Sequence, residues 1–330
     1  MIVHWGLDSL PAACAEAGVS APLLVASPRW DSLELRVEPA AQWREVPSDR
    51  IAEAVVAARG ADGVLAVGGG SSIDLGKAIS AATGLPLVSV PTTYAGAEWT
   101  SYFGVRDPGR RMRGGGGGAR LAAIVYEPEL TLELPAETTV GTAMNALAHC
   151  AEALYVRGHN PAADEHALAG ARLIAERLPR VVAAPGDRAA RTELLRGACH
   201  GGAALAGSML ALAHAMAQAI GGTYGLPHGT LNGICLPLAL RFNTAFAPDA
   251  VARFGEAVGA TGDPAGRVET LAALAGPTTL RELGVPEGDL PALAADAAGR
   301  GGNPPTRSPQ ARTRSSGCSA RSISDRYAND

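Results

Sequence analysis

VLAVGGGSSIDLGKAISAATG, Val64 to Gly84, passes without interruption from an apolar run through three glycines into a helical pattern. Val64 to Val67 read as a strand, and Ile73, Leu75, Ala78 and Ile79 fall at helical spacing. Glycines at such a turn let the backbone approach a pyrophosphate closely. The N–H groups and positive dipole end at the helix start favour the phosphate charge. The spacing is neither G-x-G-x-x-G nor G-x-x-x-x-G-K-[ST], and a purely structural turn has the same composition, so both readings stand on this stretch alone.

Outward from this turn the pattern repeats. PLLVAS from Pro22, PLVSVPTT from Pro86 and LAAIVYEP from Leu121 are further short apolar runs bounded by Gly or Pro. PSDRIAEAVVAARG places Ile51, Val55 and Val56 on one helical face, with Ser48 or Asp49 as its cap and Gly60 as its stop. Alternating strand and helix predicts a parallel α/β sheet. Thr92 and Thr93 follow Pro91, which ends a ladder, so their hydroxyls are expected beyond the strand's carboxyl end, where open parallel sheets bind ligands. An ordinary Ser/Thr turn is the alternative there.

From Leu134 onward the chain reads as long Ala/Leu helices separated by Pro or Gly. The expected division is an α/β domain over 1–133, a helical domain over 134–299, and a polar, disordered tail over 300–330. That tail changes composition abruptly enough to suggest a frame change or an unrelated extension in place of a closing helix, with an ordinary flexible terminus as the alternative. Gly114 to Gly118 are expected to form a flexible loop.

The 28 basic and 32 acidic residues give a formal charge of -4 over 330 residues, which provides no broad field for nucleic acid or an anionic bilayer. A small-molecule function follows. Cys14, Cys150, Cys199, Cys235 and Cys318 are odd in number and form no CxxC pair, which suggests a reducing compartment and no thiolate metal site. No signal-like start is visible, and the apolar runs break before the ~20 residues of a spanning helix, so a cytoplasmic protein is expected. Lys77 is the only lysine among the 28 basic residues, and its place after the glycine turn marks it for a local role.

Asn145 and His149 in AMNALAHCAEA are four apart and share a helical face. With His214 and His228 they make one amide and three imidazoles. Three imidazoles can hold Zn or Fe(II), but an amide brings no charge to offset the cation.

GGGSSIDLGKA, VPTTYAGAE, YEPELTLELP, MNALAHCAEALY, AHAMAQAIGGTYGLPHG and LPLALRFN, in this order over roughly residues 1–300, resemble the iron-containing (group III) alcohol dehydrogenase superfamily, and within it the maleylacetate reductase branch. The resemblance implies the dehydroquinate synthase-like fold: an N-terminal α/β dinucleotide-binding domain, an all-helical C-terminal domain, and a site between them. It implies NADH or NADPH on Gly68, Gly69, Gly70 and Ser71, with Thr92 and Thr93 beside it and Asp74 and Lys77 in the same motif. The metal ligands of relatives, an Asp and three His, match Asn145, His149, His214 and His228. Asn in place of Asp is the reductase branch's pattern and implies catalysis without metal, His149, His214 and His228 becoming polarising or proton-donating groups. Gln218 stands where relatives place a further His near the nicotinamide, and it cannot exchange a proton near neutral pH.

The resulting expectation is NAD(P)H-dependent reduction of maleylacetate, or a similar unsaturated oxo-dicarboxylate, to 3-oxoadipate in aromatic-compound breakdown, by a homodimer. The alternative is a metal-dependent alcohol dehydrogenase that uses His149, His214 and His228 as ligands, a reading that PHGTLNGICLP favours. A sugar-phosphate cyclase and a defective, merely cofactor-binding relative rank lower. Arg29, after the first clear strand, is a candidate for tolerating a 2′-phosphate. The start is expected to fall short of the family's first strand.

Overall fold

The computed structural model describes residues 1–300, so the expectations for the tail lie, apart from Arg300, outside the described residues. Six strands form one parallel sheet: β1 (Ile2–Trp5), β2 (Leu23–Ala26), β3 (Ala41–Trp43), β4 (Val64–Gly68), β5 (Pro86–Pro91) and β8 (Arg120–Tyr126). Their order is β1-β8-β5-β4-β2-β3. MIVHW, which the sequence reading passed over, supplies an edge strand, with Ile2 to Trp5 in register with Ala123 to Tyr126. β4 is buried along its whole length, as its unbroken apolar composition requires of a central parallel strand.

α1 (Leu10–Glu16), α2 (Ile51–Ala57) and α3 (Gly70–Thr83) cover the sheet. Two apolar clusters lie against it, one built around Leu10, Leu65 and Val90, the other around Ala54, Ala66 and Ile79. Gly76 lets α3 lie close to the sheet, since a Cβ there would sit 2.9 Å from Ala66 Cβ. Ser48, offered as the cap of α2, caps no helix: the N-cap is Arg50, whose N–H donates to Ser48 Oγ at 3.2 Å.

The glycine run is a second correction. Met112–Gly116 forms β7, antiparallel to β6 (Phe103–Arg106), with Gly116 opposite Phe103 and Gly114 opposite Val105. A Cβ on Gly116 would lie 2.9 Å from Phe103 Cζ, and one on Gly117 would lie 3.0 Å from Tyr102 Cδ1. The aromatic rings occupy the space that side chains would have filled, which gives glycines a place in a ladder despite their low strand propensity.

The helical half contains α4 (Ala136–Ala153), α5 (Pro161–Ala183), α6 (Arg188–Gly207), α7 (Leu212–Tyr224), α8 (His228–Asn243), α9 (Pro248–Ala257), α10 (Pro264–Ala272) and α11 (Leu290–Gly299) around one large apolar core. The segment from Asp187 to Gly222 reads as one helical run but is two helices bent by 99° at a short break. This break brings His214 to the start of α7. No single helix among the described residues is long and apolar enough to cross a membrane.

Candidate active site

The glycine turn joins β4 to α3. Gly68 has φ +143°, and a Cβ on it would lie 2.2 Å from Ser72 Oγ; one on Gly69 would lie 3.0 Å from the Thr93 methyl. No side chain caps α3, which leaves the first N–H groups of Gly70 and Ser71 for an incoming phosphate. Gly68 O accepts from Thr92 N at 3.0 Å, so the two sequence-predicted segments meet at adjacent strand ends. The Trp30 indole also approaches, its Nε1 3.8 Å from the Gly68 Cβ position, and Arg29 lies over that ring. Arg29 itself is exposed and reaches Glu133 at 3.4 Å. This cradle fits a dinucleotide pyrophosphate, which only glycine at the turn would admit.

Asp74 and Lys77 act one turn deeper. Lys77 is almost fully buried and donates from Nζ to Asp74 Oδ1 at 3.0 Å and to the Tyr102 carbonyl at 2.8 Å. Asp74 Oδ2 accepts from Gly104 N at 3.3 Å. The pair therefore fastens the β6–β7 hairpin to α3.

Glu98, which sequence reasoning passed over, is buried and accepts from the Tyr126 hydroxyl at 2.6 Å; that hydroxyl accepts from Trp99 Nε1 at 2.7 Å. Burial pushes its carboxyl above the usual range, outweighing the Tyr126 bond and the Lys77 charge. Only its position, buried among apolar residues, marks it out, and sequence alone gives no such signal.

His149, His214 and His228 come together from α4, α7 and α8. The His149 and His214 rings stack at 4.7 Å and 15°, and His228 lies 5.5 Å from His214. Glu152, fully buried one turn after His149, accepts from Ala211 N (2.8 Å), Ala213 N (2.6 Å), His214 N (3.2 Å) and His214 Nδ1 (2.7 Å). Its carboxylate thus caps α7 and takes the hydrogen of His214 Nδ1, while His214 Nε2 is buried and unpartnered. Glu152 was also missed, although its place three residues after His149 on the same helix was a usable signal.

Asn145 sits in a second chain. Its Nδ2 donates to Ala95 O at 2.7 Å, and its Oδ1 accepts from Asn232 Nδ2 at 2.5 Å. Asn232 Nδ2 also faces His228 Nε2 at 3.1 Å. Because Ala95 O can only accept, the Asn145 amide has one orientation, and Asn232 follows from it; His228 Nε2 is then an acceptor and its Nδ1 carries the hydrogen. Burial drives the His149 imidazole well below its usual range, with His214, His228 and Lys77 adding to it. Burial, His214 and Arg106 push His228 down to about 3. Both rings are neutral at neutral pH. Gln218, one turn beyond His214, is half-buried, and its side chain makes no hydrogen bond among the described residues.

As arranged, these donors do not fit a divalent cation. Two of the three rings lie face to face, the Asn145 oxygen is committed to Asn232, and no carboxylate joins the set. Among the described residues no group of three His, Cys, Asp or Glu has a metal-holding arrangement.

Residues 6–125 match the family model described as iron-containing alcohol dehydrogenase, and residues 139–313 match that of the Fe-containing alcohol dehydrogenase family, C-terminal. The chain belongs to the iron-containing alcohol dehydrogenase family. It is thus an oxidoreductase. It is similar to the maleylacetate reductase of Burkholderia cepacia, 41% identical over 72% of this chain and 68% of that one. Maleylacetate reductase 1 of Rhodococcus opacus is 38% identical over 85% of this chain and 77% of its own. The crystal structure of maleylacetate reductase from Rhizobium sp. strain MTP-10005 superposes with a TM-score of 0.82 at 32% identity, covering 91% of this chain and 89% of that one. The α/β sheet domain and the helical domain are those of this iron-containing alcohol dehydrogenase fold.

Proposed function

We propose that this family member reduces maleylacetate, or a closely similar unsaturated oxo-dicarboxylate, to 3-oxoadipate with NADH or NADPH and without a metal, as a step in aromatic-compound breakdown. The observation that carries this reading is Asn145, whose amide is tied to Ala95 O and Asn232 where metal-dependent relatives need an anionic ligand. The likeness to maleylacetate reductases supports the substrate class.

When bound, a dihydronicotinamide would supply hydride to the carbon–carbon double bond, and the Gly68–Ser71 turn and Thr92–Thr93 would hold and orient it. Charge then gathers on the conjugated ketone oxygen, and the Nδ1–H of neutral His228 is a donor for it, fixed in that tautomer by Asn232. The bare Nε2 of His214 takes a proton from solvent and passes it to the carbanion-like carbon, and Glu152 stabilises the imidazolium that exists between the two transfers. Desolvation by the surrounding helices keeps His149 neutral, so it adds no second charge beside His214.

The test is NADH oxidation with maleylacetate, beside a simple aldehyde, with and without chelator. Chelator-insensitive turnover of maleylacetate is expected. Turnover of the aldehyde alone, lost on chelation, would replace this reading with the metal-dependent alcohol dehydrogenase.

A further inference from the structure

The β6–β7 hairpin lies across both halves of the molecule. At its root, Gly104, Val105 and Arg106 face Ser71 and Leu75 of α3 across a small cavity. At its turn, Gly109 O and the Arg111 side chain lie 3.8 and 3.6 Å from the Cβ position of Gly225, three residues before His228. Asp107 makes this turn rigid. Its Oδ1 accepts from Arg111 N at 2.9 Å, its Oδ2 from Arg113 Nε at 2.8 Å, and its carbonyl from Arg110 N at 2.8 Å.

Arg106 is the last residue of β6, half-buried where the strand runs from its root into the turn. Its Nη1 donates to Arg110 O at 3.0 Å, so the guanidinium is held in place by backbone. It forms no ion pair among the described residues, unlike its neighbour Arg113, which is paired with Asp107. The Arg106 guanidinium is tied to the hairpin turn that meets Gly225, which places it on the side of the site toward the start of α8 and His228, and its charge helps to keep the His228 imidazole neutral. Lys77 already uses two of its three N–H donors on Asp74 and Tyr102. Arg106 has the rest of its donor fork free.

We propose that Arg106 is the substrate-carboxylate anchor of this enzyme, its guanidinium taking the carboxylate that lies toward His228 and so selecting dicarboxylates over neutral aldehydes. The inference rests on the proposed reductase reading and deepens it. A planar fork fixed by backbone matches a carboxylate in two-point fashion, and its charge adds to the pull on the enolate without contributing a proton. The pyrophosphate, by contrast, has the α3 N-terminus as its own binding element.

Two measurements test this. In the first, steady-state NADH oxidation compares wild type with Arg106→Gln and Arg106→Lys. Arg106→Gln is expected to raise KM for maleylacetate roughly 10- to 100-fold, the loss of one charge-assisted contact, with KM for NADH unchanged. Arg106→Lys should recover part of it, and thermal melting should show both variants folded. In the second, calorimetric titration with adipate, an unreactive dicarboxylate, does not depend on turnover. Adipate bound by wild type and lost in Arg106→Gln would uphold the anchor even if maleylacetate were not turned over, and only the substrate assignment would then fail. Equal adipate affinity in the two proteins would overturn the proposal, as would a rise confined to the NADH KM, which would place Arg106 on the cofactor.

Discussion

Glu152 holds His214 through the same carboxylate that caps the helix on which His214 stands. Oε2 takes the Nδ1 hydrogen at 2.7 Å while Oε1 takes the backbone hydrogens of Ala213 and His214. Imidazole tautomer and helix position are thereby set by one residue.

Replacement of that residue should therefore affect catalysis and folding together. In Glu152→Gln the new NH2 group faces N–H donors, and the His214 tautomer is no longer imposed. A kcat lower by roughly 10²–10⁴-fold is expected, with a stability loss of about 3 kcal/mol. Steady-state kinetics beside urea unfolding checks both. A stable, fully active variant would show that His214 needs no carboxylate behind it.

The glycine turn makes a second, separable prediction. Gly68→Ala puts a methyl 2.2 Å from Ser72 Oγ at φ +143°. Strain of about 1–3 kcal/mol is expected, together with loss of close approach to the pyrophosphate. NADH titration by fluorescence should show binding weakened far more than the melting temperature is lowered. Unchanged NADH affinity would remove the turn from the cofactor site.

How much of this was legible beforehand follows from where each signal resides. Gly68 to Ser71, Thr92, Thr93 and the three histidines lie in short contiguous motifs whose local geometry already implies an exposed strand end or a helical face, and the fold brings them together. Glu98 acts through Tyr126, 28 residues away, Glu152 through Ala211 and its neighbours, 59 or more away, and Asn232 joins Asn145, 87 away, to His228; the i, i+3 and i, i+4 spacings of Glu152 and Asn232 to histidines were readable, but their distant partners were not. Long-range pairing of that kind has no periodicity to read. The glycine strand was misread for the opposite reason: Gly114 to Gly116 have no strand propensity of their own, and Phe103 and Tyr102 supply the packing from outside the run. The break between α6 and α7 was hidden by uniform Ala/Leu composition, while the capping carboxylate that makes it useful comes from α4.

The neutral imidazoles predict a pH dependence of stability with a definite sign. His228 is held near 3 in the fold, and His149 is also held well below its usual value. In the unfolded chain each titrates at its ordinary value near 6.5. Between those limits the unfolded state binds protons that the native state does not, so stability is full above about 6.5 and falls as pH drops toward 3. Each group contributes a slope of up to about 1.4 kcal/mol per pH unit in that window. Urea unfolding at stepped pH from 7.5 to 5 should show the fall, and His228→Asn should flatten it. An unaltered slope in that variant would mean that His228 is protonated in the folded protein.

Asn145→Asp tests whether a single substitution restores a metal site. The new carboxylate would set an oxygen where Nδ2 now donates to Ala95 O at 2.7 Å, two acceptors in contact in a buried position. The cost is about 2–4 kcal/mol, from one lost hydrogen bond and one uncompensated charge. The stacked His149 and His214 rings would also have to turn before either nitrogen could join the carboxylate in a tetrahedral set, and His214 is held by Glu152. The variant is therefore expected to be less stable and, after dialysis against Zn(II) or Fe(II), to retain well under one equivalent by elemental analysis. Stoichiometric metal with restored melting temperature would show instead that the imidazoles rearrange freely, and that the amide of Asn145 alone keeps the cation out.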